Sequence, residues 1–134
     1  MTTYADSPRR YVLGLGCERG TDWNDVRQLA ERALQEAGIE AGQLLAVVSI
    51  DTRMNEPAML EVATHFRLPL RCFNVAALER ETPRLKNPSD LVFARVGCHG
   101  VAEAAALAAA GPDAALVLPK IKSSFATAAI ARIG

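Results

Sequence analysis

Apolar positions fall along this chain in short runs that alternate with amphipathic stretches. Tyr11-Val12-Leu13-Gly14-Leu15 is such a run, close to the N-terminus, and has the pattern of a strand buried on both faces. From Trp23, the residues Val26, Leu29, Ala30, Ala33, Leu34 and Ala37 recur at helical spacing, while Arg27, Glu31, Arg32 and Glu36 mark the opposite face. Thr21 stands where it can cap this helix, Asp22 and Asp25 fall in its first turn, and Gly38 closes it. Leu44 to Ile50 is apolar and rich in β-branched residues, as a central parallel strand would be, and it runs into the polar loop Asp51-Thr52-Arg53-Met54-Asn55. Asn55 is placed to cap a second helix, with Pro57 in its first turn and Leu60, Val62, Ala63 and Phe66 on its apolar face; Leu68-Pro69 stops it.

The second half continues the alternation. Leu70 to Phe73 reads as a third strand, Asn74 as the cap of a short helical segment through Leu78, and Glu79 to Pro88 as a polar loop. Leu91 to Val96 suits either period, and Ser89 as a cap favours helix. Gly97 and Gly100 break the chain around Cys98-His99, and Val101 to Ala110 is an alanine-rich helix closed by Gly111-Pro112. Ala115 to Leu118 and Thr127 to Ile133 are strand-like runs flanking Pro119 to Phe125, a connection short enough to make them an antiparallel pair. The sum is an α/β domain with a mixed, mainly parallel sheet of about five strands and four or five helices. At 134 residues, half of them apolar, the chain reads as one domain, residues 1–134, with polar residues 1–10 as a loosely held lead-in.

Charge narrows the function classes. Fifteen basic side chains balance fifteen acidic ones, so no net field steers the molecule to nucleic acid or to an anionic membrane. No apolar run approaches the roughly 20 residues of a membrane span, and Asp6, Pro8, Arg9 and Arg10 occupy the place of a secretory core, so the expectation is a cytoplasmic protein. Three cysteines, odd in number and far apart, indicate reduced thiols.

Candidate chemistry begins at Gly14-x-Gly16-x-x-x-Gly20. This is one residue longer than the dinucleotide fingerprint, and no acidic residue follows at an offset of about 20, so no cofactor is expected. A strand-to-helix turn of this kind serves either packing alone or the reception of an anion on its amides. Arg19, Arg53, Lys120 and Lys122 are basic residues expected in loops near strand ends, and no acid follows Asp113. Gathered at one sheet edge they suit a ligand with several carboxylates; the commoner fate of such side chains is a solvated surface. Asp51 and Glu56 are candidates for an acid and base pair, against the plainer readings of ion pair or cap. Cys17 is either a thiol activated near a helix N-terminus or a small packing residue. Cys98-His99 with Cys17 is a weak metal signal, and no metal is expected. His65 reads as a surface residue.

Four blocks together carry more. Gly14-Leu15-Gly16-Cys17-Glu18-Arg19-Gly20-Thr21, Ser49-Ile50-Asp51-Thr52-Arg53-Met54-Asn55-Glu56, Val96-Gly97-Cys98-His99-Gly100-Val101-Ala102-Glu103-Ala104-Ala105-Ala106-Leu107, and Pro119-Lys120-Ile121-Lys122 with Thr127-Ala128-Ala129-Ile130-Ala131 stand in order across nearly the whole chain. In this the chain resembles the cobalamin-biosynthesis family of CobE and the C-terminal domain of CbiG. The resemblance implies a three-layer α/β/α domain, a role in building the corrin ring and a cytoplasmic location. CbiG-type proteins hydrolyse a ring-fused lactone in a cobalt-precorrin and release acetaldehyde; a lone C-terminal domain, with no room for the preceding domains, resembles the aerobic-pathway version. Where that family usually has Lys, this chain has Arg53, which keeps the charge but not a neutral amine.

The leading expectation is a cleft at the sheet edge that holds a precorrin by its carboxylates. Its lining would be Gly16, Cys17, Arg19, Gly20 and Thr21; Thr52 and Arg53; Gly97, Gly100 and Val101; and Lys120, Lys122, Ser123 and Ser124. One alternative is an enzyme in which Asp51 or Glu56 opens a precorrin lactone. The other is a non-enzymatic carrier that docks on other cobalamin-pathway enzymes.

Overall fold

The computed structural model describes residues 8–134. In chain order the elements are β1 (Tyr11–Cys17), α1 (Trp23–Ala37), β2 (Leu44–Ile50), α2 (Pro57–Phe66), β3 (Leu70–Phe73), α3 (Val75–Glu79), α4 (Asp90–Val96), α5 (Ala102–Ala110), β4 (Ala115–Lys122) and β5 (Ala126–Arg132), with single 3-10 turns at Ala41–Gln43, Asp51–Arg53 and Thr82–Arg84. The strands form one sheet in the order β3-β2-β1-β5-β4. The first three run parallel, and β5 is antiparallel to both β1 and β4. The C-terminal ends of β1 to β4 therefore share an edge, and the connectivity reverses between β1 and β5.

Helices cover both faces, as the resemblance implied. On one side Val26, Leu29, Ala33 and Leu34 of α1 and Met59 and Val62 of α2 bury Leu13, Leu15, Val47 and Ile130. On the other, Ala104, Ala105 and Ala106 of α5 meet Ala46, Val48, Val12 and Ala131, with Leu78 of α3 beside them. Strand alternation explains the division: Leu13 and Leu15 face α1, and Val12 and Gly14 face α5.

The glycines of β1 do a different job from the turn expected of them. β1 continues through Gly16 to Cys17, and of the three glycines only Gly20 has a positive φ, 76°. A Cβ on Gly14 would run into the Ala102 carbonyl and stand 3.2 Å from the Ala106 Cβ; one on Gly16 would stand 2.8 Å from the Thr127 hydroxyl and 3.3 Å from the Val101 side chain. The missing side chains let the start of α5 sit directly on the strand, and the alanines of α5 keep the rest of that contact close.

Glu103, left among the alanines by its sequence pattern, is a structural centre. It is 2 % exposed and accepts hydrogen bonds from the backbone N–H groups of Lys86 (2.9 Å), Asn87 (3.0 Å) and Lys120 (2.8 Å) and from the Asn87 side chain (2.9 Å). Burial alone would raise its pKa, but these donors outweigh burial and hold the carboxyl below its ordinary 4.5. One carboxylate thus ties α5 to the 86–87 loop and to β4.

Other differences are local. Asp22, rather than Thr21, caps α1, accepting from the Asn24 N–H at 2.9 Å, while the Thr21 hydroxyl donates to the Glu18 carbonyl at 2.6 Å. Glu56, not Asn55, precedes α2 as its cap residue, without a side-chain capping bond. Leu60 is 44 % exposed and leaves the apolar face of α2. β4 extends past Pro119 to Lys122, which the outer edge of a sheet tolerates, since Pro there need not donate to a neighbour. Lys120 and Lys122 therefore lie on a strand instead of a loop. Of the expected lead-in, Met1–Ser7 lies outside the described residues, whereas Arg9 donates to the Leu44 carbonyl at 2.7 Å and the Arg10 carbonyl accepts from Ile133 at 2.8 Å.

Two stability measurements follow from this packing. Gly14→Ala is expected to lower unfolding free energy by about 3 kcal/mol in urea titration, because α5 must shift, and Gly20→Ala by about 1 kcal/mol, through its backbone conformation alone. Glu103→Gln is expected to cost about 2 kcal/mol at neutral pH. Because the folded carboxyl titrates below its unfolded value, its contribution is complete above pH 4.5 and is lost as pH falls toward the folded value. The gap between wild type and variant should therefore close on acidification below that point.

Candidate functional site

The C-terminal edge of the sheet opens into two adjoining hollows. One, of 310 Å³, is lined by Gly16, Cys17, Glu18, Ile50, Thr52, Arg53, Val92, Arg95, Val96 and Val101. The second, of 390 Å³, extends toward the β4–β5 hairpin, where Gly100, Lys120, Lys122, Ser123, Ser124, Phe125 and Thr127 join the wall. Gly16, Cys17, Glu18, Val92, Arg95 and Val101 line both, so the hollows are two lobes of one cleft. It lies where the connectivity reverses beside β1, the place at which open α/β sheets leave a crevice.

Each wall has a local cause. The end of β1 supplies Gly16 and Cys17, and the absence of a side chain at Gly16 leaves the floor to Val101. The turn after β2 supplies Arg53, whose Nε donates to the Cys17 carbonyl at 2.7 Å and whose Nη1 reaches the Thr52 carbonyl at 3.3 Å. The guanidinium is thereby anchored at the cleft while exposing further N–H donors. The third wall is α4, capped by the Ser89 hydroxyl on the Val92 N–H and ended by Gly97 at φ 89°. Its residues Leu91, Val92, Arg95 and Val96 share one face by their i, i+4 spacing and line the cleft. On the fourth side the hold of Glu103 on the Lys120 N–H fixes β4 where its pairing with β5 is irregular, between Leu118 and Ile121. Leu91, 68 % exposed, and Phe125, 53 % exposed, form an apolar rim.

Of the residues singled out in the sequence, the structure brings Gly16, Cys17, Thr52, Arg53, Gly100, Val101, Lys120, Lys122, Ser123 and Ser124 to this cleft. Arg19, Gly20, Thr21 and Gly97 are not among its lining residues. The Gly20 N–H is taken by Glu56 at 2.9 Å, and Gly97 ends α4. Asp51 and Glu56 also fall outside the lining. Asp51 is exposed, and Glu56 is buried at 8 % exposure with its carboxylate committed to the Gly20 amide, so it pins the turn after β1. The only carboxylate among the lining side chains is Glu18, 4.0 Å from Arg95.

Cys17 sits at a strand end, and its environment does not activate it. Burial pushes its thiol up, the nearby Glu56 charge adds to that, and Arg53 offsets only part. Burial likewise raises Cys98 and Cys72. No group of three or more His, Cys, Asp or Glu side chains placed to hold a metal occurs among the described residues. Arg95, Val92 and Phe125 were missed from sequence; for the two on α4, the spacing of Leu91 with Arg95 and of Val92 with Val96 was the available signal.

Comparison with known proteins agrees across the whole domain. Residues 11–131 match the family model described as cobalamin synthesis G C-terminus. Protein CobE of Sinorhizobium sp is 55 % identical over 120 residues, covering 90 % of this chain and 78 % of that protein. The cobalt-precorrin-5A hydrolase of Priestia megaterium is 31 % identical over 94 % of this chain, which spans 33 % of that longer enzyme. The crystal structure of CobE, a protein of the cobalamin (vitamin B12) biosynthetic pathway, superposes with a TM-score of 0.88 at 37 % identity, covering 96 % of this chain and 93 % of that one. No helix among the described residues is long and apolar enough to cross a membrane. With fold, length of match and sequence blocks in agreement, the chain belongs to the family of CobE and the CbiG C-terminal domain and is a cobalamin-biosynthesis protein.

Proposed function

We propose that the cleft binds a precorrin-type intermediate of corrin synthesis in the cytoplasm, gripping its carboxylate arms while the ring lies on the apolar floor and rim. One observation carries this reading: Arg53, Arg95, Lys120 and Lys122 stand with a single acid, Glu18, around a lining built mainly from glycine, valine, leucine, isoleucine and phenylalanine, with Cys17, Ala126 and small hydroxyl residues between them. A corrin precursor has the matching distribution, with acetate and propionate arms radiating from a broad apolar ring. Arg and Lys bind such arms by charge-assisted hydrogen bonds. The family's place in cobalamin biosynthesis supports the same class of ligand.

Lactone hydrolysis by this domain has weaker support. Asp51 and Glu56, the acids that would activate water, are outside the lining, and Glu56 already accepts the Gly20 amide. A general base must come within hydrogen-bonding reach of the reacting proton. Docking on other pathway enzymes is compatible with binding, and the apolar rim at Leu91 and Phe125 is where a ligand would pass.

Cobyrinic acid, a corrin with free carboxylate arms, tests the reading by absorption titration. Binding is expected, and its methyl ester is expected to bind at least tenfold more weakly. Arg53→Ala and Arg95→Ala should each weaken the free acid by about tenfold, while Arg19→Ala stays within about twofold. An unchanged spectrum at high micromolar free acid, or equal losses from Arg19→Ala and Arg95→Ala, would overturn it.

A further inference from the structure

Helix α4 has an unusual position for a cleft wall. None of its seven residues is buried, yet Leu91, Val92, Arg95 and Val96 form one side of both lobes. A helix of this length does not persist by its own hydrogen bonds, so its place must come from contacts with the body. The floor of the cleft supplies some of these. Val96 packs on the core beside Leu78 and Cys98, and Arg95 lies 4.0 Å from Glu18. A further set of contacts converges on His99.

The His99 imidazole packs against the α4 side chain that turns away from the cleft, stacking on Phe93 with ring centroids 4.4 Å apart and planes 21° from parallel. Its Nδ1 lies 2.9 and 3.0 Å from the two carboxylate oxygens of Glu79, at the end of α3. Its backbone N–H donates to the same carboxylate at 3.0 Å, and its carbonyl accepts from the N–H of Ser89, the cap residue of α4, at 2.8 Å. Its Nε2 stands 3.6 Å from Asp90 in the first turn of α4. Glu79 is held in turn by the Thr82 hydroxyl at 2.8 Å. One of the two residues between Gly97 and Gly100 thus joins α3 to the cap and outer face of α4.

We infer that His99 is a positioning residue: it latches α4 against the body of the domain through Glu79 and Phe93, and so keeps Arg95 and Val92 on the cleft wall. The latch rests on the proposed binding of a carboxylate-rich ligand only for its purpose, since Arg95 is the cation that α4 carries to the cleft. Ser89 and Gly97, at the ends of α4, are the pivots about which the helix swings when the latch is removed. A protein with α4 open has lost one wall of both lobes, and its apparent affinity falls by the fraction of molecules still closed.

Trypsin cleavage after Arg95 in the ligand-free full chain, followed by mass spectrometry, reads the latch without any ligand. His99→Ala is expected to speed this cleavage by about tenfold while cleavage after Arg27, in α1, stays unchanged. Phe93→Ala, whose side chain is half exposed, should reproduce the effect without disturbing the core. His99→Asn, which keeps a donor beside Glu79 but loses the ring that stacks on Phe93, should be cleaved at a rate between those of wild type and His99→Ala. Cobyrinic acid affinity should fall in step with the cleavage rates across the three variants. Wild-type cleavage in both His99→Ala and Phe93→Ala, or equal acceleration at Arg27 and Arg95, would overturn the latch. Faster cleavage at Arg95 with unaltered affinity would overturn its positioning role. Failure of the wild-type chain to bind cobyrinic acid would instead count against the binding reading, leaving the protease result to judge the latch.

Discussion

The close approach of α5 to β1 is the constraint on which the rest of this structure depends. A helix and a strand ordinarily keep a side chain's width between their backbones, and here Gly14 removes it, so that the Ala102 carbonyl lies where a Cβ would be. The consequence reaches both ends of α5. Ahead of it, Val101 is brought over Gly16 to make the cleft floor, with Gly100 beside it in the lining. One residue into the helix, Glu103 is carried deep enough to collect the amides of Lys86, Asn87 and Lys120. A packing contact between two small residues thereby sets the positions of a charged network and a cation on a distant strand.

That network explains how a chain with no net charge presents a cationic mouth. The acids near the cleft are largely occupied with the protein's own backbone: Glu103 with three amides, Glu56 with Gly20, Glu79 with His99. Arg53 is anchored through Nε with donors to spare, and Arg95, Lys120 and Lys122 line the same opening. Acids committed to amides serve the fold, and basic side chains line the cleft. Glu18 is the exception among the lining residues, and it sits across from Arg95.

The regular elements were legible because burial follows period. β2 and β3 begin and end where their apolar runs do, and Gly38, Asn74 and Ser89 cap the helices their chemistry suits. What escaped the sequence was contact at a distance. Nothing local distinguishes a glycine that bends a chain from one that admits a helix, so the sequence of Gly14 and Gly16 suits a turn although α5 sits on them in the fold. Nor does an isolated Glu in an alanine helix announce three amides from elsewhere in the chain. Pro119 hid the continuation of β4, because a proline ends most strands but not one on an open edge. Arg53 and Lys120 were found by charge near a strand end; Arg19 met the same criterion and lies elsewhere, while Arg95 needed the face of a helix whose type the pattern left open.

On the proposed reading, a cationic, apolar-floored cleft at the carboxyl edge of the sheet receives a polyacidic ring. A crystal structure of the chain with a carboxylate-bearing corrin tests it most directly. The ring is expected between α4 and the β4–β5 hairpin, over Gly16 and Val101, with arms on Arg53, Arg95 and Lys120. A corrin seated on another face of the domain, or lying in the cleft with its arms turned to solvent, would contradict it.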